Sequence, residues 1–311
     1  MIYNVVDYSF LECGMELCYQ CPRKCGADRK HSLGYCRVPT DFRVARAALH
    51  MWEEPEISGV RGSGTVFFCG CNLRCVYCQN REVSHAELGR MLTAEQLIDV
   101  MLRLQDAGAH NINLVTPTQY AQALAETLRR VKPQLHVPVV YNCGGYESVE
   151  ALKCLEGLVD VYLPDFKYVD SSLAKKYSGA ADYCAVATEA LAEMLHQTGA
   201  PVFDADGMLL RGTVVRHLVL PGARADSIAV LNHLADTFGV AGYRLSLMSQ
   251  YTPAFAKDTP YRELHRRVTT FEYECVAREA IRLGFEGNQQ ARTSATEGYT
   301  PDFHERSFLP E

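Results

Sequence analysis

Four cysteines fall within ten residues: Cys69, Cys71, Cys75 and Cys78. The last three read C-x3-C-x2-C, in Cys71-Asn-Leu-Arg-Cys75-Val-Tyr-Cys78. They directly follow the apolar run Val66-Phe67-Phe68, which predicts a strand with the cysteines at its carboxyl end. That end is where α/β sheets and barrels carry their active sites. A [4Fe–4S] cube takes four thiolates. Three closely spaced ones hold three irons and leave the fourth exchangeable, as in an open metal site whose vacant position takes substrate. Two other readings stand beside this one. Zinc could use all four cysteines, although Cys69 is one residue from Cys71 and falls within the strand. Alternatively, the thiols are buried and bind nothing.

A second group reads Cys18-x2-Cys21-x3-Cys25-x10-Cys36. Its inner order is the reverse of the first. Four thiolates close either a tetrahedral zinc or a full iron–sulfur cluster. Cys13 and His31 are alternative ligands, and Arg23, Lys24, Arg29 and Lys30 would offset the negative charge. Few apolar residues surround these cysteines, so a bound metal would supply the stability that a small core cannot. Cys143, Cys154, Cys184 and Cys275 are isolated and read as small buried hydrophobes.

The elements that position these cysteines are short apolar runs bounded by Gly, Pro or Asn. They predict strands over 65–69, 111–115, 137–141, 159–163, 213–220 and 243–248. Helices are predicted between them. Thr93 and Gln96 form a capping box before Leu97, Ile98, Met101 and Leu104, and Gly108 stops that helix. Further helices read over 119–130, 148–156, 182–196 and 226–238. Six βα units form a parallel sheet, either open and doubly wound or an incomplete (β/α) barrel. The chain divides into a Cys-rich metal-binding segment (1–55), the α/β unit (56–250) and a carboxy-terminal extension (251–311). The extension holds a helix over 271–283 ending at Gly284, then an irregular wrap with Gln289, Gln290, Thr293, Ser294 and Thr296. Trp52, the single tryptophan, reads as packing at the first boundary.

Composition excludes several classes. Of 311 residues, 31 are Lys or Arg and 37 are Asp or Glu, giving a net charge of −6. That argues against a general nucleic-acid binder. No apolar run is long enough to span a membrane, and the start lacks the basic residues of a signal peptide. The expectation is a cytoplasmic chain whose 13 cysteines stay reduced and serve metal or catalytic chemistry.

The run Phe67-Phe68-Cys69-Gly70-Cys71-Asn72-Leu73-Arg74-Cys75-Val76-Tyr77-Cys78-Gln79-Asn80 resembles the radical S-adenosylmethionine (SAM) superfamily, and within it the pyruvate formate-lyase-activating enzymes. Further matches resemble the PflX-type homologues of those activases. They are Asn113-Leu114-Val115-Thr116-Pro117-Thr118, Val140-Tyr141-Asn142, Gly145-Tyr146-Glu147, Tyr162-Leu163-Pro164-Asp165-Phe166-Lys167-Tyr168, Arg216-His217-Leu218-Val219-Leu220-Pro221-Gly222 and Ser246-Leu247-Met248-Ser249-Gln250-Tyr251.

The resemblance implies a partial (β/α)6 barrel. It also implies that SAM chelates the open iron of a [4Fe–4S] cluster on Cys71, Cys75 and Cys78, with Tyr77 near the adenine. One electron then yields methionine and a 5′-deoxyadenosyl radical that abstracts hydrogen. Implied partners are an electron donor such as flavodoxin or ferredoxin and a glycyl radical enzyme. Thr116 and Thr118 stand where related activases carry a Gly-Gly-Glu-Pro turn that receives the SAM amino group. Asn142 ends the third strand. Asp165 and Lys167, two apart, point together into the barrel mouth, the Lys charge holding the Asp ionised. Arg216 interrupts an apolar strand and needs a carboxylate, from SAM or from Asp165. Radical SAM chemistry on a small molecule or another polypeptide, and a non-catalytic iron–sulfur electron-transfer or binding protein, are the competing functions.

Overall fold

A computed structural model describes residues 17–290, 301–303 and 307–310. Cys13, Thr293, Ser294 and Thr296 lie outside the described residues. Twelve strands are described: β1 (Leu17–Cys18), β2 (Ala27–Asp28), β3 (Phe42–His50), β4 (Ser63–Phe68), β5 (Arg90–Leu92), β6 (Ile112–Val115), β7 (Val139–Cys143), β8 (Val161–Pro164), β9 (Val202–Phe203), β10 (Leu209–Leu218), β11 (Arg244–Met248) and β12 (Gly287–Gln289). The helices are α1 (Pro55–Ser58), α2 (Arg81–Ser84), α3 (Ala94–Asp106), α4 (Ala121–Val131), α5 (Val149–Lys153), α6 (Ser171–Ser178), α7 (Tyr183–Thr198), α8 (Arg224–Phe238) and α9 (Thr270–Leu283).

The six predicted strands are β4, β6, β7, β8, β10 and β11. They lie side by side in chain order, every pair parallel, and β12 extends the series. A doubly wound sheet reverses its strand order at a switch point. This one never does, so each unit adds on the same side of the last and the sheet curls into a barrel. The two ends, β5 and β12, are not paired with each other, so the barrel is partial. β3 lies antiparallel to β4 and carries β5 on its far side. Thus 42–50, inside the stretch read as Cys-rich, belongs to the barrel sheet.

Strand alternation sorts side chains by face. Ile57 of α1 packs with Val140, Val161, Leu163, Leu209 and Val214 in a buried apolar cluster on the strands of the barrel. One step up the same strands stand Asn142, Asp165, Arg216 and Ser246. The outer face meets the helices. Leu97, Val100, Met101 and Leu104 of α3 are buried on one side of a helix opened by the predicted Thr93–Gln96 capping box. α9 has its own box, Thr269 with Glu272, and ends at Gly284 in the left-handed region. Among the described residues no helix is long and apolar enough to cross a membrane.

Candidate active site and metal centre

The chain leaves β4 and turns at Gly70, whose φ of +81° favours glycine. Cys71, Cys75 and Cys78 follow on this loop. The loop is fastened from three sides. Asn72 Nδ2 donates to the Tyr146 carbonyl at 2.6 Å, Val76 N–H donates to the Tyr177 carbonyl at 2.9 Å, and Gln119 Nε2 donates to the carbonyls of Cys69 and Thr116 at 2.9 and 2.7 Å. Gln119 therefore locks the cysteine loop to the end of β6. Cys69 faces away from the site: it is fully buried and bonds the Leu88 carbonyl.

A cavity of about 400 Å³ lies between the loop and the polar lumen. Cys71, Cys75, Cys78, Tyr77, Thr116, Thr118, Asn142, Asp165, Lys167 and Arg216 all line it. Cys71 Sγ accepts from the N–H groups of Leu73 and Arg74 at 3.3 and 3.5 Å. Cys75 Sγ sits 2.9 Å from Ser178 Oγ, which is 2.9 Å from Tyr168 Oη, which is 2.5 Å from Tyr77 Oη. Burial, and then the neighbouring Cys75, push the Cys71 thiol up to about 12. The same causes push Cys78 up to about 11. Unliganded thiols here therefore hold their protons, and a bound cation is what would ionise them.

Among the described residues no three His, Cys, Asp or Glu side chains converge to hold one metal ion. Cys69, turned to the Leu88 carbonyl, does not line the cavity that Cys71, Cys75 and Cys78 share. An iron–sulfur cube makes a different demand, since each thiolate binds its own corner iron. Three thiols on one wall of a cavity, with Cys75 near enough to raise both Cys71 and Cys78, fit that demand. Asn80 Oδ1 on the same wall is a buried acceptor with no partner.

Opposite the loop, charges are tightly matched. Arg216 donates from Nε to Asp165 (3.0 Å), from Nη1 to Glu53 (3.3 Å) and from Nη2 to Asn142 (2.5 Å). Lys167 Nζ bonds the other Asp165 oxygen at 2.5 Å. Burial raises the Asp165 pKa, but Arg216 and then Lys167 outweigh it, and the carboxyl is held below its usual range. Three of the five guanidinium N–H groups thus serve the chain's own acceptors, with Glu53 a second carboxylate beside Asp165. Glu53 and Glu54, which reach the lumen from the segment after β3, were not legible as site residues. Glu54 is buried with one oxygen unpartnered, and burial pushes it up to about 7.

The remaining residues divide. Thr118 is 1% exposed and its hydroxyl donates to Glu147 at 2.6 Å, so the side chain is committed to the protein. Thr116 has φ +57°, a left-handed conformation unusual for a β-branched residue, at the strand end facing the cavity. Trp52, expected as packing, is 56% exposed and lines the cavity. Of the isolated cysteines only Cys143 is fully buried; Cys154, Cys184 and Cys275 are half-buried.

β1 and β2 pair antiparallel, with Cys18 opposite Ala27. Cys36 is buried, Cys18 and Cys21 are half-buried, and Cys25 is exposed. His31 bonds Asp28 at 2.7 Å.

Comparison with known proteins supplies the family. An uncharacterized protein of Methanocaldococcus jannaschii is 26% identical over 267 residues, 83% of this chain and 72% of that one. A pyruvate formate-lyase-activating enzyme of Clostridium pasteurianum is 32% identical over 123 residues, 37% of this chain and about half (49%) of the enzyme's length. A domain of pyruvate-formate lyase-activating enzyme from Bacteroides vulgatus superposes with a TM-score of 0.40 at 12% identity, over 55% of this chain and 92% of that domain. The family model of the radical SAM superfamily matches residues 65–231, more than half of the chain. Because that match begins on the strand delivering Cys71 and runs through β10 into α8, the chain belongs to the radical SAM superfamily.

Proposed function

We propose that the protein is an activating enzyme of the pyruvate formate-lyase type, of the PflX-type branch, acting on a glycine Cα of a partner protein. The observation that carries the catalytic reading is the single cavity lined by all three loop cysteines and all seven polar or aromatic residues expected to meet SAM. A [4Fe–4S] cluster with SAM, when bound, supplies a 5′-deoxyadenosyl radical for hydrogen abstraction. Cys71, Cys75 and Cys78 hold that cluster. Asp165, kept ionised by Arg216 and Lys167, offers a fixed anion to a cationic ligand, while Arg216 keeps two N–H groups for a carboxylate. The Thr116 backbone and Asn142 border the same space, and the Tyr77 ring walls it. Cys18, Cys21, Cys25 and Cys36 form a second metal centre, the segment 1–55 bearing it and 251–311 extending the barrel. The electron comes from a flavodoxin- or ferredoxin-type carrier, in the reducing cytoplasm.

The activase assignment is supported by the order of the motifs and by the partial relative from Clostridium pasteurianum. A second reading, chemistry on a small molecule or another polypeptide, is favoured by Thr116-Pro117-Thr118-Gln119 standing in place of the Gly-Gly-Glu-Pro turn.

Anaerobically reconstituted protein with dithionite and SAM should yield 5′-deoxyadenosine and methionine. Cys75→Ala should lose the brown absorbance and the cleavage together, and Cys69→Ala should keep both. Cleavage retained in Cys75→Ala would overturn the reading. A glycyl radical signal on a candidate partner separates the activase from the second reading.

A further inference from the structure

One carboxyl group in the catalytic cavity has no task in the reading above. Glu54 is 7% exposed and lines the same cavity as the loop cysteines. Its backbone is fixed by α1. Pro55 opens that helix, the Glu54 carbonyl accepts from the N–H groups of Ile57 and Ser58 at 2.8 and 2.9 Å, and the Glu53 N–H donates to Ser58 Oγ at 3.0 Å. The side chain is less well served. Ser246 of β11 bonds the carboxyl, whereas Oε2 is enclosed with no partner. A buried acceptor left unpaired is costly unless a ligand supplies the donor.

Charge decides what kind of donor fits. Glu53, Glu54 and Asp165 line the cavity, and so do two cations, Arg216 and Lys167. Both cations are committed elsewhere. Lys167 bonds Asp165, while Arg216 bonds Asp165, Glu53 and Asn142. Arg216 therefore acts on Glu54 only through space. Three carboxyl groups against two cations leave this wall one positive charge short. An alcohol or an amide would give Glu54 a hydrogen bond without the charge; an ammonium gives both, and the charged bond is the stronger. An aromatic face is also at hand. Trp52, two residues before Glu54, lines the same cavity, and indole is the ring that best attracts a cation.

We propose that Glu54 and Trp52 form a subsite for a primary ammonium group on the molecule that gives up hydrogen, with Glu54 the residue that selects it. The subsite stands on the cavity alone; naming its occupant the hydrogen donor rests on the functional reading above. A free alkylamine and a lysine side chain next to the glycine of a polypeptide offer Glu54 the same charge and the same N–H donors. The ammonium is held there and is not itself transformed.

The test uses the anaerobically reconstituted full chain and two readouts that need no turnover: titration calorimetry, and the fluorescence of Trp52, the single tryptophan. The probes are n-pentylammonium chloride, the isosteric n-pentanol, and potassium chloride as the salt control. Wild type should bind pentylammonium at least about tenfold more tightly than pentanol, with a saturable change in fluorescence that potassium chloride does not produce. Glu54→Gln should lose that preference, and Glu54→Asp should keep most of it. Equal binding of the amine and the alcohol, or a preference retained in Glu54→Gln, would overturn the proposal. So would Glu54→Gln binding SAM about tenfold more weakly, since the carboxyl then serves the cosubstrate. Should Glu54→Gln fail to fold, Trp52→Leu decides by calorimetry: it should weaken pentylammonium more than pentanol, and equal weakening sinks the subsite. A blocked Ala-Gly-Lys-Ala peptide, set against its norleucine counterpart, separates the sources. Lysine-dependent binding tighter than that of pentylammonium assigns the ammonium to a polypeptide; pentylammonium binding with the peptide shut out assigns it to a small amine. Wild type that binds the amine yet yields no 5′-deoxyadenosine sinks the functional reading and keeps the subsite. SAM cleavage without the amine preference does the reverse.

Discussion

Replacing Arg216 by methionine removes the cation that two lumenal carboxylates share. In the folded protein the guanidinium bonds Asp165, Glu53 and Asn142, and the three charged side chains are only 10–18% exposed. Losing one member of such a buried group costs roughly 3–5 kcal/mol, because its partners stay desolvated. Lys167 still bonds Asp165 in the variant, so the lower end, about 3 kcal/mol, is expected. Anaerobic urea unfolding of the metal-free protein at pH 7 measures it. The pH dependence gives a second check. The depressed Asp165 pKa contributes stability that is present above its usual 3.8 and lost as pH falls through the folded value. Without Arg216 the depression weakens and both carboxyls accept protons more readily. The gap between wild type and variant should therefore narrow on acidification. Glu53→Gln should cost the wild type stability but restore some in the Arg216→Met background, a coupling of roughly 1 kcal/mol or more. A variant within about 0.5 kcal/mol of wild type, or additive double substitutions, would refute the charge-sharing argument.

Glu147 is fully enclosed, and burial pushes it up to about 7 despite bonds from Thr118 and Tyr141. Its contribution is present below the usual 4.5 and lost as pH rises through about 7. Wild type should thus lose up to about 3 kcal/mol relative to Glu147→Gln over that window, by chemical unfolding at stepped pH; parallel curves would contradict the burial argument. Thr116→Gly should relieve the strain of φ +57° and raise the melting temperature, by about 1 kcal/mol of stability; a lower melting temperature means the threonine side chain contributes more than its backbone costs. Gly70→Ala should expose the segment 18–36 to protease, since its Cβ would meet the Cys36 carbonyl at 2.5 Å; unchanged digestion would show that the contact relaxes without loss.

The parallel strands were legible because buried β-runs are apolar and punctuated, and their order settled barrel against open sheet only once pairing was known. β12 is Gly287-Asn288-Gln289, which pairs with β11 through its backbone and has no apolar pattern to read. α6 was missed although Asp170 caps it by accepting from the N–H groups of Ser172 and Leu173. Arg216 announced its need for a carboxylate, and Asp165 was rightly named as a candidate. Glu53 was not. An acidic pair in a polar stretch reads as solvated, and only a fold that sends 51–58 beneath the barrel brings it to an arginine 163 positions away. Cysteine spacing marked the loop because its members are neighbours in sequence; the lumen is assembled from distant segments.

The hydroxyl series from Tyr77 through Tyr168 and Ser178 to Cys75 has a polarity. A thiol can donate or accept, so in the metal-free protein every O–H along the series can point either way. A metal-bound thiolate has no proton and only accepts. Ser178 must then donate to Cys75, Tyr168 to Ser178, and Tyr77 to Tyr168. Ligation of Cys75 would align three dipoles across the cavity wall, with their positive ends toward the sulfur. Hydrogen bonds to cluster sulfurs set reduction potentials. With a cluster on Cys75, the Tyr77 ring that borders the cavity would be wired to the electronics of the loop, and a molecule that turned its hydroxyl would be felt at Cys75.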